Sequence, residues 1–345
     1  MKIKQSVLAA SITAALAIGV AGESAAAVYA GSRLDIDSLL VTPTPASPAG
    51  TFNFRLTNTA DLATPAIATA TCGGTPGPGG ANTCGGSGAA LVLNASAANA
   101  GGSTVIRADN DMTFFGPGVG NYANADSVIN NAQLVGDGST DTDNVAESNL
   151  DSALTGGASS EIQSITGFSF SFTVDAPGSL SLAFLADPDM RAFISAFEGA
   201  GSSAQANLNT SFTLRQDNDT DASDGTALGL VNWNPQGTTT NDCTASGGPT
   251  CTEDNDTQDL NINVGATAPG ADNNHSFGAG DSGFGDILTA FGITVAGIDA
   301  GTWTLTLNEV KSVDLRRQVP EPGILALVGI GLLGLGMSSR RKKAV

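Results

Sequence analysis

Few residues of this sequence could carry acid–base or nucleophilic chemistry. The chain has one histidine, His275, and a turn-like segment seven residues later places Ser282 between glycine and aspartate neighbours. A nucleophilic serine needs a histidine base and a third group that orients the histidine, and distant parts of the chain normally supply these partners. No second histidine exists, so most schemes of this kind lack a component. We therefore predict no catalytic residues and a protein that is not an enzyme.

Acidic loops form the second group of residues that could carry chemistry. Four aspartates alternate with other residues in one segment: Asp217, Asp219, Asp221 and Asp224. Calcium loops present their oxygen ligands with similar spacing, although this segment lacks the glycine and the final glutamate of an EF-hand. The segments 137–144 and 253–259 show weaker versions of the pattern. Calcium is therefore the one cofactor hypothesis, and its alternative is a solvated acidic turn.

The four cysteines fall into two local pairs. Cys72 and Cys84 flank one Gly/Pro-rich loop, and Cys243 and Cys251 flank a second loop. Neither pair has the Cys-x-x-Cys spacing of a zinc site, and the single histidine is distant in sequence. Exported proteins reach an oxidising compartment, where disulfides are expected. We predict local pairing, among the three connectivities that four cysteines allow.

The central part of the chain, residues 31–315, is called the body and is expected to consist mainly of β-strands. Residues 168–174, 180–184 and 303–307 alternate apolar and polar side chains, which is typical of half-buried strands, and Ala176-Pro177-Gly178 separates the first two runs as a hairpin turn would. Weaker strand candidates are residues 33–41, 51–56, 103–107, 211–215, 227–233 and 260–264. The best short helical candidates are 145–154 and 287–291. The pattern predicts an antiparallel β-sandwich or jelly roll with long polar loops.

The N-terminal segment has the layout of a secretory signal peptide. Lys2 and Lys4 precede an apolar run at residues 7–20, which is expected to be helical, and small residues follow it. Cleavage after Ala27 or after Ala30 satisfies the requirement for small residues. The apolar run is short for a lasting anchor, since a span needs about 20 residues.

The C-terminal segment combines three features in a fixed order. Val319, Pro320, Glu321 and Pro322 precede an uncharged apolar segment at 324–337, and Arg340, Arg341, Lys342 and Lys343 follow it. Fourteen helical residues span only about 21 Å, so a transmembrane helix here is marginal. The basic residues are expected to stay in the cytoplasm and to leave the body outside.

These three features resemble the PEP-CTERM sorting signal of Gram-negative bacteria. The resemblance implies export by the general secretion machinery, a precursor held in the inner membrane, and cleavage near Pro320-Glu321-Pro322 by exosortase. The segments 28–36 and 146–150 are also similar to exosortase-dependent surface proteins of the EDSAP type. The predicted organisation is a signal peptide at 1–27, a β-rich body at 31–315 and a sorting signal at 319–343.

Composition restricts the function of the body. The net charge is −19, and most of the 33 acidic residues lie between the two ends. Such a field repels nucleic acid, so we expect no nucleic-acid partner. We predict a non-catalytic protein of the cell surface or of the extracellular biofilm matrix, with extracellular polysaccharide as a candidate partner. The alternative is a surface module that binds calcium or carbohydrate.

Overall fold

The computed structural model describes most of the body of the chain. The described residues are 27–45, 51–62, 66–74, 84, 90–98, 112–117, 120–130, 139–151, 156–219, 228–237, 240–277 and 287–318. They form sixteen strands: β1 (Val28–Thr44), β2 (Thr51–Leu62), β3 (Ala66–Gly74), β4 (Ala90–Ala98), β5 (Tyr122–Asn130), β6 (Thr140–Leu150), β7 (Gly156–Val174), β8 (Gly178–Ile194), β9 (Ser203–Asp219), β10 (Leu230–Trp233), β11 (Cys243–Ser246), β12 (Thr250–Asp256), β13 (Ile262–Ala266), β14 (Asp272–Ser276), β15 (Thr289–Ile298) and β16 (Gly301–Arg317).

The strands build two antiparallel sheets. The first sheet has the order β12-β15-β8-β1-β6-β5-β4, with β14 also pairing β8. The second has the order β11-β10-β9-β16-β7-β2-β3, with β13 also pairing β9. The first strand, β1, and the last, β16, are therefore both interior strands with a partner on each side. This confirms the prediction of a mainly β protein with antiparallel pairing.

Side chains of both sheets meet in one buried hydrophobic core. Phe184 of β8 lies 5.2 Å from Phe212 of β9 between ring centroids, and Phe212 lies 5.2 Å from Trp233 of β10. The alternating residues of β16, from Trp303 to Leu307, place their apolar members in this core. The period of two in the sequence therefore marks the inward face, as expected for half-buried strands.

The helical interpretation of residues 145–154 and 287–291 is wrong where the structure describes them. Residues 145–150 belong to β6, and 289–291 belong to β15. All residues of β6 from Asn144 to Leu150 are buried, so both faces of this strand are covered. A strand that is buried on both faces loses its polar/apolar alternation, which removes the signal by which it could be recognised. The candidate strand 103–107 lies outside the described residues.

The Ala176-Pro177-Gly178 turn connects the two sheets and does not form the predicted hairpin. β7 pairs with β2 and β16, whereas β8 pairs with β1, β14 and β15. A Cβ atom at Gly178 would overlap the carbonyl oxygen of Thr44, at the end of β1. Glycine is therefore required where the chain leaves the second sheet and enters the first beside another backbone.

Both disulfides have the predicted local pairing. Cys72 is joined to Cys84 and Cys243 to Cys251, with Cα–Cα distances of 4.9 and 5.8 Å. Cys243 lies on β11 and Cys251 on β12, which are edge strands of different sheets. The second disulfide therefore links the two sheets at one edge, a role that the sequence spacing alone does not show.

Replacing both Cys243 and Cys251 with serine is expected to lower the free energy of unfolding by about 2–3 kcal/mol. The closed loop is short, and its closure entropy sets this magnitude. Urea unfolding of the mature protein and of the variant measures the difference. The matched Cys72→Ser/Cys84→Ser variant shows whether the link between sheets adds anything beyond closure of a loop. An unchanged unfolding midpoint in the Cys243/Cys251 variant would contradict the prediction.

Candidate functional site at the two chain termini

Both ends of the described body reach the same loop. This junction loop, residues 195–202, connects β8 to β9. The Ser195 amide donates to the carbonyl oxygen of Ala27 at 2.9 Å. The Gly199 amide donates to the carbonyl oxygen of Gln318 at 2.9 Å, and the Gln318 amide donates to Ser202 Oγ at 2.9 Å. The residue before β1 and the residue after β16 are therefore held at one edge of the molecule.

A buried ion pair fixes the end of β16 to the junction loop. Arg317 Nε donates to Glu198 Oε1 at 2.8 Å. Glu198 and Arg317 are 5% and 4% exposed. Charges are seldom buried unless they are paired, because removing an ion from water is costly. The ion pair thus attaches the end of β16 to the junction loop at the point where the chain leaves the body.

The last described residues of the body connect directly to the predicted sorting segment, without an intervening linker. β16 pairs with β9 as far as Arg316 and with β7 as far as Arg317. Gln318 is then held by the junction loop, and Val319 follows directly. The whole predicted sorting signal lies outside the described residues. It comprises the motif residues Val319, Pro320, Glu321 and Pro322, the apolar segment 324–337 and the basic residues Arg340, Arg341, Lys342 and Lys343.

Comparison with known proteins decides what this segment is. A family model for the PEP-CTERM protein-sorting motif matches residues 318–342. The chain carries a PEP-CTERM sorting motif. The match confirms the resemblance found in the sequence and starts at Gln318, the residue that the junction loop holds. Neither the curated proteins nor the solved structures that were compared contain a match to this chain.

The PEP-CTERM motif identifies the sorting route. It indicates an exported extracellular or surface protein of a Gram-negative bacterium, with exosortase as the processing partner. Within the described ranges, no helix has the length and apolarity that crossing a membrane requires. The motif covers the C-terminal segment only and assigns no chemistry to the body.

The structure bears on the position of signal cleavage. Val28, Tyr29 and Ala30 are completely buried and pair with β6 on one side and β8 on the other. Cleavage after Ala27 would leave these pairs intact, whereas cleavage after Ala30 would remove three residues from an interior strand. We expect the mature chain to begin at Val28. N-terminal sequencing of the protein from its host checks this, and a mature chain that begins at Gly31 would contradict it.

The predicted calcium segment is described only at its start. Asp217 accepts hydrogen bonds from Arg215 Nη2 at 2.8 Å and from Thr304 Oγ1 at 2.5 Å, so each carboxylate oxygen has a protein partner. The side chain of Asp219 and the whole of Asp221 and Asp224 lie outside the described residues. The calcium assignment stays a prediction.

A second acidic group was only partly visible in the sequence. Carboxylate oxygens of Asp242, Glu253 and Asp256 lie within 4.8 Å of one another. The Cys243–Cys251 disulfide brings Asp242 close to the 253–259 segment, which the sequence analysis had marked as a weak candidate. Glu253 also accepts from Trp233 Nε1 at 2.8 Å. The disulfide was the signal that could have located this cluster.

The electrostatics of this cluster depend on pH. The pKa of Asp256 is raised to about 6, chiefly by burial and with smaller contributions from the nearby carboxylates of Glu253 and Asp242, while hydrogen bonds from the Gly237 and Gln236 amides oppose the shift. A carboxyl group whose pKa rises on folding stabilises the folded state at low pH. This contribution is lost as the pH rises from about 4 through about 6.

Titration of Asp256 is therefore expected to lower the free energy of unfolding by about 1–2 kcal/mol between about pH 4 and about pH 6.5, because partial exposure to solvent screens part of the full effect of the shift. Urea unfolding of the mature protein across this range measures the effect. The Asp256→Asn variant cannot ionise at this position and should show a shallower dependence on pH. Equal pH dependence in the two proteins would contradict the assignment to Asp256.

A cavity lies on the outer face of the first sheet. Its volume is about 570 Å³, and Tyr29, Arg33, Phe114, Asp189 and Arg191 are among the residues that line it. Both guanidinium groups already have carboxylate partners at 2.8 Å: Asp143 for Arg33 and Asp272 for Arg191. Their charges are thus balanced within the protein, so neither guanidinium group among the described lining residues is left for an anion.

The structure describes only part of the possible nucleophile segment. His275 lies on β14, where its ring contacts Phe277 edge-on with centroids 6.0 Å apart. Ser282 lies outside the described residues. All four cysteines are in disulfides, so none offers a thiol nucleophile.

Proposed function

We propose that this chain is a non-catalytic protein of the cell surface or of the extracellular biofilm matrix. Its two sheets would form a β-sandwich body, displayed outside the inner membrane until exosortase cuts near Pro320-Glu321-Pro322. The observation that carries the proposal is the position of the two ends of the described body. The junction loop holds Ala27 and Gln318 at the same edge of the body.

This arrangement suits a body that is tethered to one membrane by both ends before processing. The apolar runs at 7–20 and 324–337 would enter the same bilayer, with Lys2, Lys4 and the basic residues 340–343 on its cytoplasmic side. Five residues, 319–323, separate Gln318 from Ile324 and span at most about 18 Å when extended. The junction loop would therefore face the membrane, close to the processing enzyme.

The scarcity of histidine and of free thiol groups supports a structural role for the body. The chain has a single histidine, and its cysteines are all oxidised. The strongly acidic composition favours a soluble exterior that does not adhere to nucleic acid or to anionic lipid. Extracellular polysaccharide remains the candidate partner for such a surface.

Mass spectrometry of the mature protein from its native host tests the sorting proposal. A new C-terminus near Pro320 is the expected result, and a chain that ends intact at Val345 would overturn the proposal. Alanine at Pro320, Glu321 and Pro322 together should leave the full-length precursor in the membrane fraction. The matched Ser338→Ala variant lies in the same sorting signal but outside Pro320-Glu321-Pro322, and it should be processed normally.

The burial of the tryptophans and tyrosines weakens the carbohydrate-binding alternative. It requires exposed aromatic rings on one face, and the chain has two tryptophans and two tyrosines that could supply them. Each of these four is completely buried: Tyr29, Tyr122, Trp233 and Trp303. A sugar-stacking platform built from these residues is therefore not available on the folded body.

The calcium alternative predicts a rise in melting temperature. If the 217–224 segment or the Asp242, Glu253 and Asp256 cluster binds calcium, millimolar calcium should raise the melting temperature of the mature protein through its preference for the folded state. A chelator should reverse the change. No response to either addition would exclude calcium as a structural cofactor.

A further inference from the structure

Three polar side chains lie together inside the hydrophobic core. Glu309 and Lys311 are on the inward face of β16, where they are 3% and 0% exposed. Asn144, on β6 of the other sheet, is 3% exposed. We call Asn144, Glu309 and Lys311 the core triad. Its members come from strands of both sheets, so the triad lies where the sheets meet.

The triad places two nitrogen atoms against one oxygen atom. Asn144 Nδ2 donates to Glu309 Oε1 at 3.4 Å. Lys311 Nζ contacts the same Oε1 atom. The Lys311 amine and the Asn144 amide are thus neighbours across the carboxyl group of Glu309, although 165 residues separate Asn144 from Glu309 in sequence.

The hydrogen bonding of this region is incomplete among the residues that the structure describes. Lys311 Nζ and Asn144 Oδ1 make no hydrogen bond. The hydroxyl groups of Thr142, two residues before Asn144, and Thr210, which pairs with Glu309, also make none. Buried polar groups nearly always have partners, so several exceptions in one place require an explanation. A buried lysine without a well-aligned acceptor is the most costly of them.

Burial also prepares the lysine as a nucleophile. Desolvation holds the pKa of Lys311 well below its usual value, and the nearby carboxylates of Asp143 and Asp35 only partly oppose this shift. The neutral amine has a free lone pair, whereas an ammonium group has none. A desolvated lysine of this kind is the reactive form in amine chemistry.

We propose that Lys311 and Asn144 react to form an intramolecular isopeptide bond, with Glu309 as the group that carries the proton. The three residues supply the three parts that the reaction requires: an amine, a carboxamide and a carboxyl group in contact with both. The core around them excludes water, which would otherwise solvate the amine and compete for the carboxyl group.

The reaction balances without any added reagent. The lone pair of Lys311 Nζ attacks Asn144 Cγ, and the carbonyl electrons move to Oδ1. Glu309 Oε1 accepts a proton from Nζ and returns one to Nδ2. The Cγ–Nδ2 bond then breaks, Oδ1 regains its double bond, and ammonia leaves. The product is an amide between Nζ and Cγ, formed once per molecule by groups that the fold holds in place.

The bond would join the two sheets covalently through their interior. It would connect β6 to β16, the strand that leads directly to the PEP-CTERM motif. Tension on the C-terminal end would then pass to the first sheet through a covalent bond rather than through core packing alone. This inference depends on the core triad only, so it can fail or succeed independently of the proposed surface role.

Peptide mapping of the mature protein from its host tests the proposal. After reduction and alkylation of the disulfides, digestion should give one linked pair of peptides that contain Asn144 and Lys311. The mass of the pair should be lower than the sum of the separate peptides by one ammonia. A succinimide at another asparagine loses the same mass, so the linked fragments in tandem spectra decide the assignment.

Variants of the full chain separate the roles of the three residues. Lys311→Met should give no linked pair, and neither should Glu309→Ala, which retains both reacting groups. Asn144→Asp should give the same linked product, because water then leaves in place of ammonia. Separate peptides from the native protein, with Lys311 open to amine labelling after unfolding, would overturn the proposal even if every variant failed to fold.

Discussion

Replacing Arg317 with alanine is expected to lower the free energy of unfolding by about 3–5 kcal/mol. The substitution removes one member of a buried ion pair and leaves the Glu198 carboxylate in the core without its partner. The loss of one partner is far more costly than the net value of the pair, because the remaining charge stays desolvated. Urea unfolding of the mature protein measures the change.

The exposed ion pair between Arg215 and Asp217 provides the matched control. Its nitrogen–oxygen distance is also 2.8 Å, but the Arg215 side chain is 65% exposed. Arg215→Ala is therefore expected to cost less than about 1 kcal/mol. The double variant Arg317→Met/Glu198→Leu should recover most of the lost stability, since it leaves no unpaired charge. Equal losses for Arg317→Ala and Arg215→Ala would contradict the role of burial.

Replacing Trp233 with alanine is expected to cost about 3–5 kcal/mol through the cavity that it leaves. The side chain is completely buried, and its ring centroid lies 5.2 Å from Phe212 and 6.0 Å from Phe184. The substitution also removes the donor that Glu253 accepts at 2.8 Å. Thermal or urea unfolding measures the loss, and glycan binding is not expected to be the affected property.

Two control variants separate the contributions of ring volume, hydrogen bonding and burial to the stability loss at Trp233. Trp233→Phe keeps an aromatic ring in the core and removes the hydrogen bond to Glu253, so it should cost clearly less than the alanine variant. Phe197→Ala removes a large ring that is 64% exposed in the junction loop and should change stability by no more than about 0.5 kcal/mol. A loss below about 1 kcal/mol for Trp233→Ala would show that the core repacks around the cavity.

The sequence alone revealed the features that are local in the chain. The sorting motif was recognisable because it is linear: Pro320-Glu321-Pro322, an apolar segment and basic residues follow one another without depending on the fold. The alternating residues 303–307 located part of β16 because each side chain of a strand points to the opposite face from the one before it. Both disulfides were predicted because each pair spans a short loop.

Two predictions from the sequence were wrong, and each has an identifiable physical reason. The end of β6, residues 145–150, was interpreted as part of a short helix because burial on both faces removed its alternation. The turn before Gly178 was interpreted as a hairpin because a Pro-Gly turn between two alternating runs has the same local pattern whether the strands pair or enter different sheets. Only the pairing of β7 with β16, and of β8 with β1, distinguishes the two cases.

The sorting route of this protein was therefore recognisable from the sequence, whereas the arrangement inside its body depended on the tertiary structure. The sorting motif is a linear segment, and its recognition depends on consecutive residues rather than on the fold. The meeting of Ala27 and Gln318 at the junction loop, and of Asn144, Glu309 and Lys311 in the core, depends on which strands pair and in which register. Register is a long-range property of the two sheets, so no local pattern of residues encodes these contacts.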